Sequence, residues 1–189
     1  MPARTTAGRH GRLRHHGAVS SSGEDGVAFS ASEVRTARLL VAAQLLLLAL
    51  IALLPRGWGW PVPGWLLVLG LLGLLGGVLV MLLAGTALGR GLTAVPIPNR
   101  HAQLRTGGLY GLVRHPIYSG LLLASGSYVV ATGSGWRALA FSVLVVLLTA
   151  KARWEETRLA RRFAAYPEYA ARTPRFVPRW PRRATGGRA

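Results

Sequence analysis

The sequence has no cysteine and only six acidic residues among its 189 positions. The lack of cysteine excludes a disulfide framework, a thiolate metal site and a cysteine nucleophile. The sequence also has no P-loop, no paired-histidine metal motif and no Gly-x-Ser-x-Gly elbow, and no glycine-rich turn follows a strand pattern. These absences exclude the most common sites of soluble nucleotide-binding enzymes and hydrolases.

Apolar and basic residues are separated along the chain. Hydrophobic residues make up 51% of the sequence, although the formal net charge is +17. The apolar residues form long uncharged runs, and most arginines lie in the polar stretches between them. This layout is typical of an integral membrane protein built from helices. We therefore predict an all-α membrane fold.

Four apolar runs are predicted to form transmembrane helices. Pro55 and Gly57 end the first run, and Gly133-Ser134-Gly135 separates the third from the fourth. The last two runs are shorter than the ~20 residues of a full crossing, so we interpret them as a helical hairpin. The predicted spans are residues 37–54, 65–88, 117–132 and 136–150.

The positions of the basic residues predict the orientation of these spans. All but two of the 23 Lys and Arg residues lie in the N-terminal, central and C-terminal segments, and the exceptions are Arg56 and Arg137. Because cytoplasmic segments of membrane proteins carry the excess of Lys and Arg, four spans with both termini in the cytoplasm account for this alternation. Binding to nucleic acid through phosphate neutralisation would not require it, so no nucleic-acid partner is expected.

The ends of the chain differ in composition from its centre. Residues 1–33 are rich in Arg, Gly, Ser and His and have few large apolar side chains. Such a segment buries too little surface to offset its ordering entropy, so we predict a disordered basic tail. Residues 34–180 are predicted to form one membrane domain, and residues 181–189 a second disordered tail. No small-residue cleavage site follows the first apolar run, so that run is interpreted as a retained span.

The second run contains a pair of small residues, Gly73 and Gly77, spaced four apart. Such a pair lets two helices approach closely, and it also occurs in membrane helices simply because glycine is common there. A homodimer formed through this face is therefore one of two open interpretations.

Arg114 and His115 directly precede Pro116 at the predicted start of the third helix. Proline is favoured at this position, and the free N–H groups, the helix dipole and the arginine charge together favour an anion. His115 can accept or donate a hydrogen bond near neutral pH. The alternative is that Arg114 anchors the chain at the membrane interface and His115 caps the helix, and position alone favours this second interpretation.

Two of the six acidic residues, Glu155 and Glu156, are adjacent just after the fourth run. Lys151 lies four residues before Glu155 and hence on the same helix face. A surface ion pair between them would stabilise the helix by a few tenths of a kcal/mol. Alternatively, a carboxylate at the membrane edge binds a cationic group of a ligand, because ionisable residues at membrane depth are often functional.

Together these stretches form a longer pattern. Residues 108–120 read Gly-x-Tyr-x-x-x-Arg-His-Pro-x-Tyr-x-Gly, and Glu155-Glu156-Thr157-Arg158-Leu159 follows after the hairpin, before Phe163, Tyr166 and Tyr169. With the preceding segment 91–98, this pattern resembles the isoprenylcysteine carboxyl methyltransferase family, and phospholipid N-methyltransferases share a related pattern. The similarity covers residues 88–178. It is fairly specific for this superfamily of membrane methyltransferases and weak for the substrate.

The resemblance implies a methyltransferase that uses S-adenosylmethionine and is embedded in a bacterial-type inner membrane. It implies that the cofactor is held between the cytoplasmic segment 89–116 and the C-terminal segment that begins at residue 151. The cofactor-binding residues that it implies are Gln103, Leu104, Arg105, Tyr110, His115, Pro116, Ile117, Tyr118, Glu155 and Glu156.

The resemblance also implies a catalytic set of Arg114, His115 and Lys151. Methyl transfer from a sulfonium is an in-line displacement, so positioning and desolvation supply most of the help. We expect Glu155 to pair with the cofactor's ammonium group, and Arg114 or the helix start to hold its carboxylate. Lys151 falls where the carboxyl methyltransferases place a basic residue near the substrate. A carboxylate acceptor needs no general base, whereas an amine or thiol would need one, for which His115 is the candidate.

The acceptor is expected to be a lipophilic molecule that enters from the bilayer. An isoprenylated cysteine carboxylate, a phospholipid amine, a quinone-like lipid and a small thiol all stay open. Membrane sterol reductases that use a nicotinamide cofactor share the Arg-His-Pro-x-Tyr-x-Gly core, but they carry Asn and an acidic residue where this sequence has Ile117 and Leu121. A non-catalytic membrane scaffold is the third interpretation, against which the intact polar residues of the motif argue.

Overall fold

The computed structural model describes residues 30–89 and 103–179. Within these two ranges the chain forms six helices and no strands, which confirms the all-α class for the described part. Segment 91–98, named in the resemblance, lies outside the described residues, as do residues 1–29 and 180–189 of the predicted tails. The helices are α1 (Ala31–Leu53), α2 (Gly64–Leu88), α3 (Leu109–Leu112), α4 (Pro116–Thr132), α5 (Gly135–Arg162) and α6 (Tyr166–Arg172).

Three of the described helices, α1, α2 and α5, are long and apolar enough to cross a membrane. Large apolar side chains of these helices are exposed, for example Leu46, Leu72 and Val146. A helix that is apolar on all sides and exposed in the isolated chain is suited to lipid rather than water. The protein is therefore an all-α membrane protein. Helix α4, with 17 residues, is shorter than these three.

Helix α1 begins earlier than its apolar run. Ser30 accepts a hydrogen bond from the backbone N–H of Glu33, and the Glu33 carboxylate accepts one from the backbone N–H of Ser30. This reciprocal pair satisfies donors that a helix start leaves open. The helix therefore begins at Ala31, six residues before the predicted span, and the predicted tail boundary at residue 33 falls inside it.

Helix α5 continues well beyond the predicted end at residue 150. It runs without a break to Arg162, because the charged residues that follow the apolar run are themselves good helix formers. Lys151, Glu155 and Glu156 are consequently held on one rigid helix, rather than on a flexible segment below the membrane.

Helix α2 packs closely against α4 of the same chain through small residues. A Cβ added to Gly77 would lie 2.5 Å from both the Ala124 nitrogen and the Gly120 oxygen, and one added to Gly73 would meet the Ser127 side chain. The close approach that small residues permit is therefore used within one chain. Because α4 occupies this face, the interpretation of Gly73 and Gly77 as a dimer contact is wrong, and a homodimer through another face stays a prediction.

The two ends of this helix assembly differ, and we name them by their residues. At the tryptophan end, which carries Trp58, Trp65 and Trp136, the loop between α1 and α2 meets the turn between α4 and α5. At the cluster end, the start of α4 meets the last turns of α5, which carry Glu155 and Glu156. Arg158 of α5 also pairs with Glu33 at 2.9 Å, which brings the start of α1 to the cluster end.

Candidate functional site

The start of α4 is paired with the chain that follows α6. The backbone N–H of Arg114 donates to the Pro174 oxygen at 2.8 Å, and that of His115 donates to the Arg175 oxygen at 3.1 Å. The Ser119 hydroxyl donates to the Phe176 oxygen at 2.7 Å. Segment 174–176 therefore lies along the first turn of α4 and brings its side chains to the residues at that helix start.

The carboxylate of Glu156 is the centre of a buried ion cluster. Arg175 donates to both of its oxygens, from Nε at 2.9 Å and from Nη2 at 2.7 Å. Arg114 Nη2 lies 3.1 Å from Oε1, and His115 Nε2 lies 3.1 Å from the same oxygen. These hydrogen bonds raise the pKa of Arg175, so that side chain stays charged. Only 13% of the Glu156 side chain is exposed and both oxygens are engaged, so the carboxylate holds three elements together. Its assignment to the cofactor stays a prediction.

Glu155 has a different environment from its neighbour. Its Oε2 accepts a hydrogen bond from the Tyr118 hydroxyl at 3.0 Å and lies 3.8 Å from His115 Nδ1. Its other oxygen makes no hydrogen bond or ion pair with the described residues, and 25% of the side chain is exposed. Glu155 is therefore oriented on one side and open on the other, as a carboxylate that binds a cationic ligand group would be.

The ring of His115 is fixed between these two carboxylates and two other rings. It stacks on Tyr118 with centroids 5.3 Å apart and planes 3° from parallel, and Phe176 lies tilted against it at 6.1 Å. Because a carboxylate only accepts hydrogen bonds, the 3.1 Å contact to Glu156 requires the proton to be on Nε2. In the neutral imidazole, Nδ1 is then the nitrogen that has a free electron pair.

Lys151 is buried below this group, with only 3% of the residue exposed. Its ammonium donates to Gln44 Oε1 of α1 at 2.6 Å and lies 5.1 Å from the centroid of the Tyr118 ring. It forms no ion pair with Glu155 among the described residues, so the surface ion pair that the sequence left open is wrong. The charge of Lys151 is stabilised by an amide and an aromatic face instead.

Three tyrosines extend the site towards α6. The Tyr169 hydroxyl donates to the Tyr110 backbone oxygen at 2.6 Å, and the Tyr110 hydroxyl donates to the Ala84 oxygen at 3.3 Å. Burial raises the pKa of Tyr169 to about 12, and burial together with the charge of Glu155 raises the pKa of Tyr110. Both hydroxyls are therefore protonated donors at neutral pH. The Tyr166 hydroxyl is buried and has no hydrogen-bond partner in the described chain.

Most of the predicted site residues are close together. The structure joins Arg114, His115, Tyr118, Glu155 and Glu156 in one network, with Lys151 against the Tyr118 ring. Pro116 is fully buried, Ile117 is half-buried at the start of α4, and Tyr110 lies on α3 beside α6.

The remaining three predicted residues lie apart from the network. Gln103, Leu104 and Arg105 form an irregular stretch before α3 in which the two polar side chains are exposed. None of the three contacts the network through a hydrogen bond or an ion pair within the described ranges. Their assignment to the cofactor stays a prediction.

The alternative interpretation, Arg114 as an interfacial anchor and His115 as a helix cap, is confirmed only for the position of His115. His115 occupies the N-cap position of α4, but its side chain makes no capping hydrogen bond and contacts Glu156 instead. Arg114 is not an exposed interfacial anchor, because its guanidinium pairs with Glu156 and donates to the Ala170 oxygen at 2.8 Å. Arg114 therefore serves the ion cluster, with Nε left as a buried donor without a partner in the described chain.

Five residues at the site were not among the predicted site residues: Gln44, Tyr166, Tyr169, Arg175 and Phe176. Gln44 left a signal, because it is the only strongly polar residue in residues 39–54 of the first apolar run. Arg175 and Phe176 lie in an irregular segment near the C-terminus, where no periodicity indicates a contact with residues some 60 positions earlier. Only the fold brings them to the start of α4.

Comparison with known proteins identifies the region that contains this network. A sequence model of the phospholipid methyltransferase family matches residues 65–166, more than half of the chain. Protein-S-isoprenylcysteine O-methyltransferase B of Arabidopsis thaliana is 40% identical over 80 residues, which are 41% of this chain and 41% of that protein. The chain thus spans about two fifths of the length of the curated relative it matches. The motif resemblance is confirmed, and the chain belongs to the phospholipid methyltransferase family, with similarity to its isoprenylcysteine carboxyl methyltransferases.

Proposed function

We propose that the protein transfers a methyl group from S-adenosylmethionine to a lipophilic acceptor at the cluster end of its membrane helices. The observation that carries this proposal is Glu155, a half-buried carboxylate that is oriented by Tyr118 and open on its other oxygen. Membership of the phospholipid methyltransferase family supports the methyltransferase over the sterol-type reductase and the scaffold.

The polar groups at the cluster end fit those of S-adenosylmethionine. The open oxygen of Glu155 suits an ammonium group. Two buried donors, Arg114 Nε and the Tyr166 hydroxyl, have no acceptor among the described residues, and a carboxylate would supply one. Buried donors without partners are costly, so these two donors and the open oxygen of Glu155 favour a ligand that carries both charges.

When bound, S-adenosylmethionine supplies an electrophilic methyl group. In this proposal Glu155 binds and orients the donor, and the rings of Tyr118, His115 and Phe176 restrict water around it. Glu156 acts through the residues that it holds and does not touch the reacting atoms. For an amine or thiol acceptor, His115 Nδ1 takes the proton, because Nε2 is already bonded to Glu156.

Lys151 favours an acceptor with an anionic group. It is a buried cation whose nearest described partners are the neutral amide of Gln44 and the Tyr118 ring. A buried charge without an ion-pair partner is expensive, and an anionic head of the acceptor would compensate it. This places a carboxylate acceptor ahead of the amine, quinone-like and thiol alternatives. The apolar faces of α1 and α5 would give a lipid tail access from the bilayer.

The proposed topology has four spans and both termini in the cytoplasm of a bacterial-type plasma membrane. Helix α4 would cross as the third of these four spans in close contact with α2, although it has only 17 residues. The distribution of Lys and Arg supports a cytoplasmic cluster end, with segment 89–116 as part of the cofactor site. Residues 34–180, extended to the start of α1, would form the membrane domain, and the terminal segments would be disordered tails.

Calorimetric titration of the detergent-purified protein with S-adenosylmethionine tests the proposal. Glu155→Gln removes the charge and retains the shape, so we expect affinity for the methyl donor to fall at least tenfold. The matched control is Glu168→Gln, since that carboxylate is exposed and pairs only with Arg172 one turn away.

A reduced nicotinamide cofactor is titrated in parallel. Binding of the nicotinamide cofactor without binding of S-adenosylmethionine would contradict the proposed methyltransferase and support the reductase. Binding of neither by folded protein would favour the scaffold. Equal losses of affinity for S-adenosylmethionine in Glu155→Gln and Glu168→Gln would show that Glu155 does not bind the methyl donor.

A further inference from the structure

A cavity of about 380 Å³ lies at the tryptophan end, opposite the proposed methyltransferase site. It is formed by the loop between α1 and α2, the start of α2, the end of α4 and the start of α5. Its walls combine two arginines and a hydroxyl with three apolar side chains. The lining residues are Arg56, Val62, Leu67, Ala131, Thr132 and Arg137.

The two arginines of this cavity are the two exceptions in the charge pattern of the chain. Among the Lys and Arg residues that the structure describes, Arg56 and Arg137 alone lie at the tryptophan end. Lys and Arg of membrane proteins concentrate on the cytoplasmic side, which we assign to the cluster end. The only two described arginines at the opposite end nevertheless line the same cavity. Their convergence indicates a ligand with negative charge.

Arg137 is held in position before any ligand binds. Its Nε donates to the Leu54 oxygen at 3.0 Å, and its guanidinium lies 5.1 Å from the centroid of the Tyr128 ring. The Tyr128 hydroxyl in turn donates to the Ala52 oxygen at 3.3 Å. The terminal nitrogens of Arg137 make no hydrogen bond or ion pair within the described residues, and neither does the exposed Arg56 side chain. The charged groups are therefore available.

The tryptophans indicate the depth of the cavity in a bilayer. Trp58, Trp65 and Trp136 are 63%, 64% and 46% exposed at the same end of the helices. Tryptophan concentrates at the level of the lipid head groups. A cavity at this level with arginines and apolar walls matches a phosphate group that continues into an acyl chain, because the guanidinium fork binds phosphate oxygens in pairs.

We propose that this cavity binds the phosphate head group of a membrane phospholipid, with Arg56 and Arg137 on the phosphate and Val62 and Leu67 along the start of its apolar part. The site is separate from the methyltransferase site. The proposal therefore stands or falls independently of the proposed reaction.

Native mass spectrometry of the detergent-purified full chain tests this site. The probes are phosphatidylglycerol, diacylglycerol as the same lipid without phosphate, and inorganic phosphate. We expect retention of phosphatidylglycerol over diacylglycerol, and at least a fivefold lower affinity for phosphatidylglycerol in Arg56→Gln. The matched control is Arg35→Gln, which removes the same charge from an exposed position near the start of α1. A second variant, Arg137→Lys, keeps the charge and removes the fork, and it should also weaken phosphatidylglycerol binding severalfold.

Three outcomes would overturn the proposal. Equal retention of diacylglycerol and phosphatidylglycerol would mean that the phosphate is not recognised. Equal losses of phosphatidylglycerol affinity in Arg56→Gln and Arg35→Gln would show that binding depends on the overall charge and not on this cavity. Inorganic phosphate binding as tightly as the lipid would assign the cavity to a free anion. The unfolding temperature without lipid, unchanged in Arg56→Gln, shows that a loss of binding is not a loss of fold.

Discussion

The cluster end and the tryptophan end join the same helices by different interactions. At the cluster end, an ion cluster adds to the backbone bonds, with Glu156 bound to Arg114, His115 and Arg175. At the tryptophan end, the donors bind backbone oxygens instead, from Trp60 N–H to Gly133 and from the Ser134 hydroxyl to Pro55. Gly133 permits this close turn because its φ of 60° is open to glycine and strained for other residues.

This difference separates the part of the molecule that is suited to chemistry from the part that closes the fold. The hydrogen bonds that join the tryptophan end are satisfied within the fold and leave no carboxylate of the described residues open to a methyl donor. An ion cluster built from side chains can leave single groups open, as with Glu155 and the Tyr166 hydroxyl. We therefore expect substitutions in the ion cluster to change stability and methyl-donor binding together, and those in the hydrogen bonds that join the tryptophan end to change stability without changing methyl-donor binding.

The largest loss of stability is expected for Glu156→Ala. Removing this carboxylate leaves Arg114, His115 and Arg175 without their common partner in a largely buried place, which costs about 3–5 kcal/mol. Unfolding of the detergent-purified protein measures the change. The control is Glu168→Ala, whose exposed pair with Arg172 contributes at most about 1 kcal/mol. Similar losses for both variants would show that the cluster adds no stability beyond a surface ion pair.

A smaller loss of stability is expected for Gln44→Leu. The Lys151 ammonium loses its acceptor, and a hydrogen bond to a charged group contributes about 1.5–3 kcal/mol. The matched test is the double variant Gln44→Leu/Lys151→Met, which replaces both partners by apolar groups and should recover most of the stability. Kinetics separate positioning from packing. Gln44→Leu should raise KM for an anionic acceptor without changing affinity for S-adenosylmethionine. An unchanged KM would leave Gln44 as a packing residue.

The smallest loss of stability is expected at the tryptophan end, for Ser134→Ala. This fully buried hydroxyl donates to the Pro55 oxygen at 3.2 Å and accepts from the Arg137 N–H at 3.5 Å at the start of α5. Loss of such a cap costs about 1 kcal/mol. Affinity for S-adenosylmethionine should not change. The control is Ser142→Ala, an exposed hydroxyl bonded only to its own helix. A loss of methyl-donor affinity in Ser134→Ala would contradict the separation between the two ends.

The parts of the site that could be predicted from the sequence are those that lie on recognisable elements. The motif around Arg114, His115 and Pro116 sits at a helix start, and Lys151 and Glu155 share one helix face. Arg175 and Phe176 could not be predicted in this way, because their segment has no period and its partners are distant in sequence. The roles of Glu155 and Glu156 could not be separated either, since adjacent carboxylates differ only in the neighbours that the fold gives them.

The sequence by itself determined the helical membrane class, the central parts of the spans and the charge difference between the two ends. Each of these follows from local composition, because lipid requires helices with continuous apolar surfaces and because Lys and Arg mark one side of the membrane. Only the tertiary structure decided that Glu156 joins three elements while Glu155 stays open, and that Lys151 pairs with Gln44 of α1. Those outcomes depend on contacts between distant segments, and such contacts arise only when the helices pack.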